Sequence, residues 1–122
     1  MTTALVTVKA SDNLVSARSE MEVGVFRHLP VVDDRNHLVG VLSDRDVLHL
    51  RGTGKHVADV MTRDVMTVKL DAHAFEAASI MLDHKIGSVL VVDDTGALVG
   101  MITQTDYLDL ARRSLLGLPL ER

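Results

Sequence analysis

The sequence has no cysteine. That excludes disulfides, thiolate nucleophiles and zinc–thiolate sites, and it fits a reducing compartment, so a cytoplasmic location is expected. It also has no excess of basic charge: 13 Lys and Arg against 17 Asp and Glu give a formal net charge of −4. Nucleic acid is therefore not an expected partner, because binding by counterion release needs a basic patch. No apolar run approaches the length of a membrane span. The opening stretch from Met1 to Val8 has neither a basic start nor a long apolar core, so no secretory signal and no membrane association are expected. Nucleophile elbow, P-loop and Gly-x-Gly-x-x-Gly patterns are all missing, so no catalytic residue is assigned and an enzyme is not expected. The six histidines (His28, His37, His49, His56, His73, His84) form no i, i+4 pair with a carboxylate on one helix, and no metal site is expected. Asp33-Asp34 and Asp93-Asp94 read as solvated turns rather than acid–base or calcium sites.

What is present is apolar material and a repeat. Hydrophobic residues make up 47% of the 122 positions, enough for one compact domain or two small halves sharing a core. Shifted by 60 positions, the sequence coincides with itself without a gap. Thr7-Val8-Lys9 matches Thr67-Val68-Lys69, and Val31-Val32-Asp33-Asp34 matches Val91-Val92-Asp93-Asp94. Leu38-Val39-Gly40 matches Leu98-Val99-Gly100, and Asp46 matches Asp106. The boundaries that follow are a first repeat over 1–52, a linker over 53–60, a second repeat over 61–113 and a tail over 114–122.

Both repeats share one local grammar. A short β-branched strand (Leu5–Val8, Val65–Val68) precedes Asp12 or Asp71, placed where a helix N-cap belongs. Leu14, Ala17, Met21 and Val25, and in the second copy Ala74, Ala77, Ala78, Met81 and Leu82, then recur at helical spacing. Two runs of strand formers follow, Leu29–Val32 and Leu38–Leu42, or Val89–Val92 and Leu98–Ile102, separated by turn residues. A last helix spans Asp44–Arg51 or Gln104–Arg113. The order is β-α-β-β-α in each copy, an α+β fold. The strands are apolar at nearly every position, as for sheets covered on both faces. The simplest arrangement packs the two repeats sheet to sheet with pseudo-twofold symmetry.

Val39-Gly40-Val41-Leu42-Ser43-Asp44-Arg45-Asp46 and Val99-Gly100-Met101-Ile102-Thr103-Gln104-Thr105-Asp106 carry a further signal. A Ser or Thr closes a strand and an Asp falls three residues later, on the same side of a helix start. A carboxylate accepts hydrogen bonds from a vicinal diol such as ribose. The hydroxyl and the free amides of a helix N-terminus suit a phosphate. The same residues serve equally as helix N-caps, with the aspartates complementing the helix dipole. Gly40 and Gly100 read equally as strand positions where backbone approaches closely.

These two segments, with His28-Leu29-Pro30-Val31-Val32-Asp33 and Asp59-Val60-Met61-Thr62, resemble the CBS (cystathionine-β-synthase) domain family over residues 1 to about 113. The resemblance implies a regulatory pair of CBS domains, a Bateman module. Such a module needs no cofactor, and binds AMP, ADP, ATP or S-adenosylmethionine as a regulatory ligand. It implies two clefts, each taking its Ser/Thr and Asp from one repeat and its adenine pocket from the other. One would use Ser43, Arg45 and Asp46 with Val65, Met66, Ile86 and Gly87. The other would use Thr103, Thr105 and Asp106 with Leu5, Val6, Phe26 and Arg27. A homodimer is implied, with Met21, Val25, Met81 and Leu82 as candidate contacts, and so is a regulated protein partner. The alternative is a dimerisation or interaction module with vestigial clefts, either free-standing or cut from a larger enzyme or transporter. Two departures stand out. Leu90 replaces Pro30, and Met1 aligns with Met61, so the given sequence holds no counterpart of Lys55–Val60 ahead of the first repeat, as expected either of a protein that is naturally short here or of an excised fragment. The clefts are expected to be unequal: Arg45, Lys55 and His56 favour phosphate in the first, whereas Gln104 and Thr105 stand in the second, with only Arg27 as a possible substitute.

Overall fold

A computed structural model describes residues 1–24, 27–49, 56–72 and 74–118. In chain order the elements are β1 (Val8–Lys9), α1 (Leu14–Gly24), β2 (His28–Val32), β3 (Leu38–Ser43) and α2 (Asp44–His49). They continue with α3 (Val57–Val60), β4 (Thr67–Lys69), α4 (Ala74–His84), β5 (Ser88–Val92), β6 (Leu98–Thr103) and α5 (Gln104–Leu115). Two three-stranded sheets result, ordered β1-β2-β3 and β4-β5-β6. β1 runs parallel to β2 with Val8 opposite Val31, and β4 runs parallel to β5 with Val68 opposite Val91. The mixed α+β architecture is the one the repeat grammar predicts.

The chain forms two compact units, and their membership crosses the repeats. The first-repeat unit comprises Val6–Val65 with Thr95–Leu98; the second-repeat unit comprises Met1–Leu5, Met66–Asp94 and Val99–Arg122. In the first-repeat unit Thr62 bridges Val41 of β3, each donating its amide to the other's carbonyl at 2.9 Å. In the second-repeat unit Thr2 makes the same reciprocal bridge to Met101 of β6, also at 2.9 Å. A methionine precedes each bridging threonine and lies over a glycine. A Cβ on Gly40 would fall 2.7 Å from the Thr62 carbonyl oxygen and 2.9 Å from Met61 Sδ. One on Gly100 would fall 2.8 Å from Met1 Sδ and 2.9 Å from the Thr2 carbonyl oxygen. Glycine is required at both positions because the crossing segment lies directly against the strand.

The first-repeat core collects Val8, Leu14, Ala17, Met21, Leu29, Val31, Leu42, Val47, Val57 and Met61. The second-repeat core is smaller: Val68, Ala77, Met81, Val89 and Val91, with Ile80, Ile86, Val99, Ile102 and Tyr107 packed on it. Tyr107 takes the place of Val47 and donates its hydroxyl to the Ala74 carbonyl. Burial pushes that phenol above its ordinary range.

Several local expectations are corrected. The cap of α1 is Asn13, whose Oδ1 accepts the Val15 amide at 2.7 Å, while Asp12 instead folds back to accept the Lys9 amide. Asp71 lies in the turn before α4 and not at its cap, since the helix begins at Ala74; the intervening His73 is outside the described residues. The predicted linker contains a helical turn, α3, whose Val57 is fully buried. Met21 and Met81 face the cores, each 5% exposed, and are not available as dimer contacts. Leu82 is exposed, and Val25 lies outside the described residues.

Candidate functional site

Each Ser/Thr-x-x-Asp segment sits where the last strand of a repeat turns directly into a helix, with no loop between them. Ser43 ends β3 and its Oγ accepts the Asp46 amide at 3.0 Å, while Asp46 Oδ2 accepts the Ser43 amide at 3.1 Å. Thr103 ends β6 in extended backbone; its Oγ1 accepts the Asp106 amide at 3.3 Å and Asp106 Oδ2 accepts the Thr103 amide at 2.8 Å. These are reciprocal capping boxes. The capping reading of the motif is therefore realised in both copies, and it shapes any ligand site as well. It fixes each aspartate rotamer and commits Oδ2 to an amide. Oδ1 makes no bond to a described residue, and both aspartates are half-buried.

The helix starts offer fewer free amides than the motif alone suggests. The Asp44 amide is held by the Arg27 carbonyl at 2.9 Å, and the Gln104 amide by the Gly87 carbonyl at 3.0 Å. With the Asp46 and Asp106 amides spent on the caps, Thr105 alone of the three leading residues of α5 keeps an amide with no described acceptor. A phosphate at this point would have side chains as its main donors. Arg27 and Arg45 are both exposed, the first just before β2 and the second in the first turn of α2.

The predicted cleft residues divide between the two units. Val6, Arg27, Ser43, Arg45, Asp46 and Val65 belong to the first-repeat unit. Leu5, Met66, Ile86, Gly87, Thr103, Thr105 and Asp106 belong to the second. Within its own unit the structure joins Gly87 to the start of α5, and Arg27 to the start of α2, through those carbonyl bonds. Val6 and Met66 are each 40% exposed, a high value for apolar side chains that no core requires. Phe26 and Lys55 are outside the described residues. Among the described residues no three His, Asp or Glu side chains gather as metal ligands, and no helix is long and apolar enough to cross a membrane.

The turn between β2 and β3 holds an organised carboxylate away from the helix starts. Asp33 Oδ1 accepts the amides of His37 and Arg35, both at 2.9 Å, and its Oδ2 lies 3.6 Å from His37 Nδ1. The His37 amide first, and the Arg35 amide with it, hold the Asp33 carboxyl below its ordinary range.

The protein belongs to the CBS-domain family, whose model matches residues 1–52 and 57–113. Among curated proteins it is similar to inosine-5'-monophosphate dehydrogenase of Methanocaldococcus jannaschii, 38% identical over 104 residues. That match covers 85% of this chain and 21% of the enzyme, so the chain spans about a fifth of the length of that relative. Among solved structures it is similar to CBSX2 in complex with AMP, with 31% identity, a TM-score of 0.81 and coverage of 92% of this chain and 90% of that one. It is also similar to the CBS domain pair of protein MJ0100 in complex with 5'-methylthioadenosine and S-adenosyl-L-methionine. There the identity is 29% and the TM-score 0.72, over 89% of this chain and 92% of that one.

Proposed function

We propose that this chain is a regulatory module that binds an adenosyl ligand (AMP, ADP, ATP or S-adenosylmethionine), catalyses nothing by itself, and passes its ligand state to a partner or fused domain. The observation that carries this reading is the capping box formed twice. Each aspartate is held by its own backbone through Oδ2, which leaves Oδ1 as the acceptor for a ribose hydroxyl. The adenosyl ligands of CBSX2 and MJ0100 support the same class of ligand here. The apolar, half-open Val65, Met66 and Ile86, and their counterparts Leu5 and Val6, suit an adenine face. Arg45 gives the Ser43/Asp46 site a guanidinium for phosphate, which can grip two oxygens at once; Thr105 offers no charge at the equivalent place. We take the first site to prefer phosphorylated nucleotides and the second to suit a less anionic adenosyl ligand. Self-association would use the outward apolar positions of the long helices, Val15 and Val23 on α1 and Phe75 and Leu82 on α4, all well exposed.

Thermal unfolding of the purified chain with each of the four ligands tests the proposal. At about 100 times its dissociation constant a ligand stabilises the fold by roughly 2.7 kcal/mol. That is an upward melting shift on the order of 10 °C for a chain of this size. Unchanged melting with all four at millimolar concentration would remove the sensor reading.

A further inference from the structure

The six methionines of the chain sit in unlike surroundings. Met21 and Met81 are buried in the two cores, and Met61 is buried over Gly40. Met101 is half-buried in β6, with its amide and carbonyl both bonded to Thr2. Met1 is 52% exposed, but its Sδ is seated against β6, 2.8 Å from where a Gly100 Cβ would lie. Met66, in the segment that leads into β4, is 40% exposed and belongs to neither core. Sixty residues earlier the first repeat has Val6, which is equally exposed. The two places are alike in exposure and differ in chemistry. A thioether sulfur has a lone pair that a peroxide oxidises; the valine side chain has none.

We propose that Met66 is a site of reversible oxidation by a hydroperoxide, and that its sulfoxide spoils the apolar face offered to an adenine. The second half rests on the adenosyl-ligand reading above. Met66 shares one unit with Ile86 and Gly87, the other residues that unit offers to the base. In the oxidation a sulfur lone pair takes the terminal oxygen of the hydroperoxide. The O–O bond breaks, an S=O bond forms, the sulfur loses two electrons and the peroxide leaves as water or an alcohol. Two thiols reverse the step: they become a disulfide and the oxygen leaves as water. The sulfoxide turns a flexible apolar side chain into a polar one. An adenine laid on it would bury that oxygen without a donor, which opposes binding. Val6 is inert to the same reagent, so peroxide acts on one adenine face and spares its counterpart.

Two measurements on the full chain, before and after limited hydrogen peroxide, test it. Peptide mapping by mass spectrometry should find Met66 oxidised several-fold faster than Met21, Met61 and Met81, and saturating AMP should slow that oxidation. Calorimetric titration should find AMP affinity lowered on the order of tenfold after oxidation, and recovered after treatment with a methionine sulfoxide reductase. The affinity of Met66→Leu, whatever its starting value, should not change on the same peroxide treatment. Oxidation of Met66 no faster than that of the buried methionines would overturn the site. Rapid oxidation with unchanged AMP affinity, or an equal loss in Met66→Leu, would overturn its effect on the adenine face. An untreated chain that binds none of the four adenosyl ligands would overturn the adenosyl reading and that effect together, and the oxidation rates would still decide the modification site.

Discussion

Asn36 and Gly96 are the same turn position in successive repeats, and each lends its carbonyl to the amide two residues beyond the other. Leu38 donates to Gly96 at 3.1 Å and Leu98 donates to Asn36 at 2.9 Å, with His37 and Ala97 bridged between them. Both residues have positive φ, 64° and 89° respectively. Asn36 adds a side-chain bond from Nδ2 to the Leu98 carbonyl at 2.9 Å. Gly96→Ala meets no neighbour within 4 Å, so its cost is the left-handed backbone alone, about 1–2 kcal/mol. Asn36→Ala should cost more, by about 0.5–1.5 kcal/mol for the lost hydrogen bond, and Asn36→Gly should recover the backbone part only. Denaturant midpoints of the three variants check the order.

Gly40→Ala should destabilise by about 1–3 kcal/mol, the range for forcing atoms into filled space. The nearest obstacle is the Thr62 carbonyl, which is tied into its bridge with Val41. Gly100→Ala should cost slightly less: the Met1 side chain can move aside, but the Thr2 carbonyl, tied to Met101, stands at 2.9 Å against 2.7 Å for Thr62 at Gly40. The amides of Val41 and Thr62 should lose hydrogen-exchange protection in the first variant, and those of Met101 and Thr2 in the second. A larger loss in the Gly100 variant would show that the carbonyl distances do not set the order.

Asp46→Ala and Asp106→Ala carry two separable effects. Loss of the capping box should cost each helix about 0.5–2 kcal/mol of stability. Loss of a charge-assisted acceptor should weaken adenosyl-ligand binding at the same site by about 1.5–3 kcal/mol. Ser43→Ala and Thr103→Ala share the first effect and should show much less of the second. Calorimetric titration beside thermal unfolding separates them; parallel losses in all four variants would reduce the motif to a cap.

Arg45→Ala should lower affinity for AMP or ATP while leaving adenosine nearly unchanged, and the variant should depend less on salt than the parent. Equal losses for adenosine and ATP would show that the guanidinium does not meet phosphate.

The Asp33 turn sets an acid limit. Its carboxyl is held below the ordinary value of 3.8 by the amides it accepts, so its stabilisation is present above that value and is lost as pH falls through the lower folded value. The melting difference between the parent and Asp33→Ala should stay level near neutrality and shrink only below about pH 4. A gap unchanged down to pH 2 would contradict the assignment.

The sheets, the long helices and the Ser/Thr–Asp spacing were legible because each rests on local chemistry. Consecutive Val and Leu favour buried strands, and a three-residue offset is what a capping box requires. Asn13 was missed because two cap-competent residues stand side by side, and the choice falls to where the first turn closes. α3 was missed because four residues have no periodicity; Val57 is helical through burial and its amide bond to Asp12. Amphipathic spacing placed Met21 and Met81 on a helix face, but spacing does not say which face meets the core. The spent amides of Asp44 and Gln104 depend on carbonyls brought up from Arg27 and Gly87, which no pattern along the chain records.

The seat of Thr2 on Met101 also has a temporal side. During synthesis Thr2 leaves the ribosome well before its strand partner Met101, which lies far along the sequence. Thr2 must wait for Met101, while Thr62 finds Val41 with only a short stretch between them. The first-repeat bridge should close early and the second last, a pairing of high sequence separation that slows the final step of folding. Until that moment the nascent protein carries an open edge along β6, and it is there that a holding chaperone or a neighbouring nascent chain would find its opportunity.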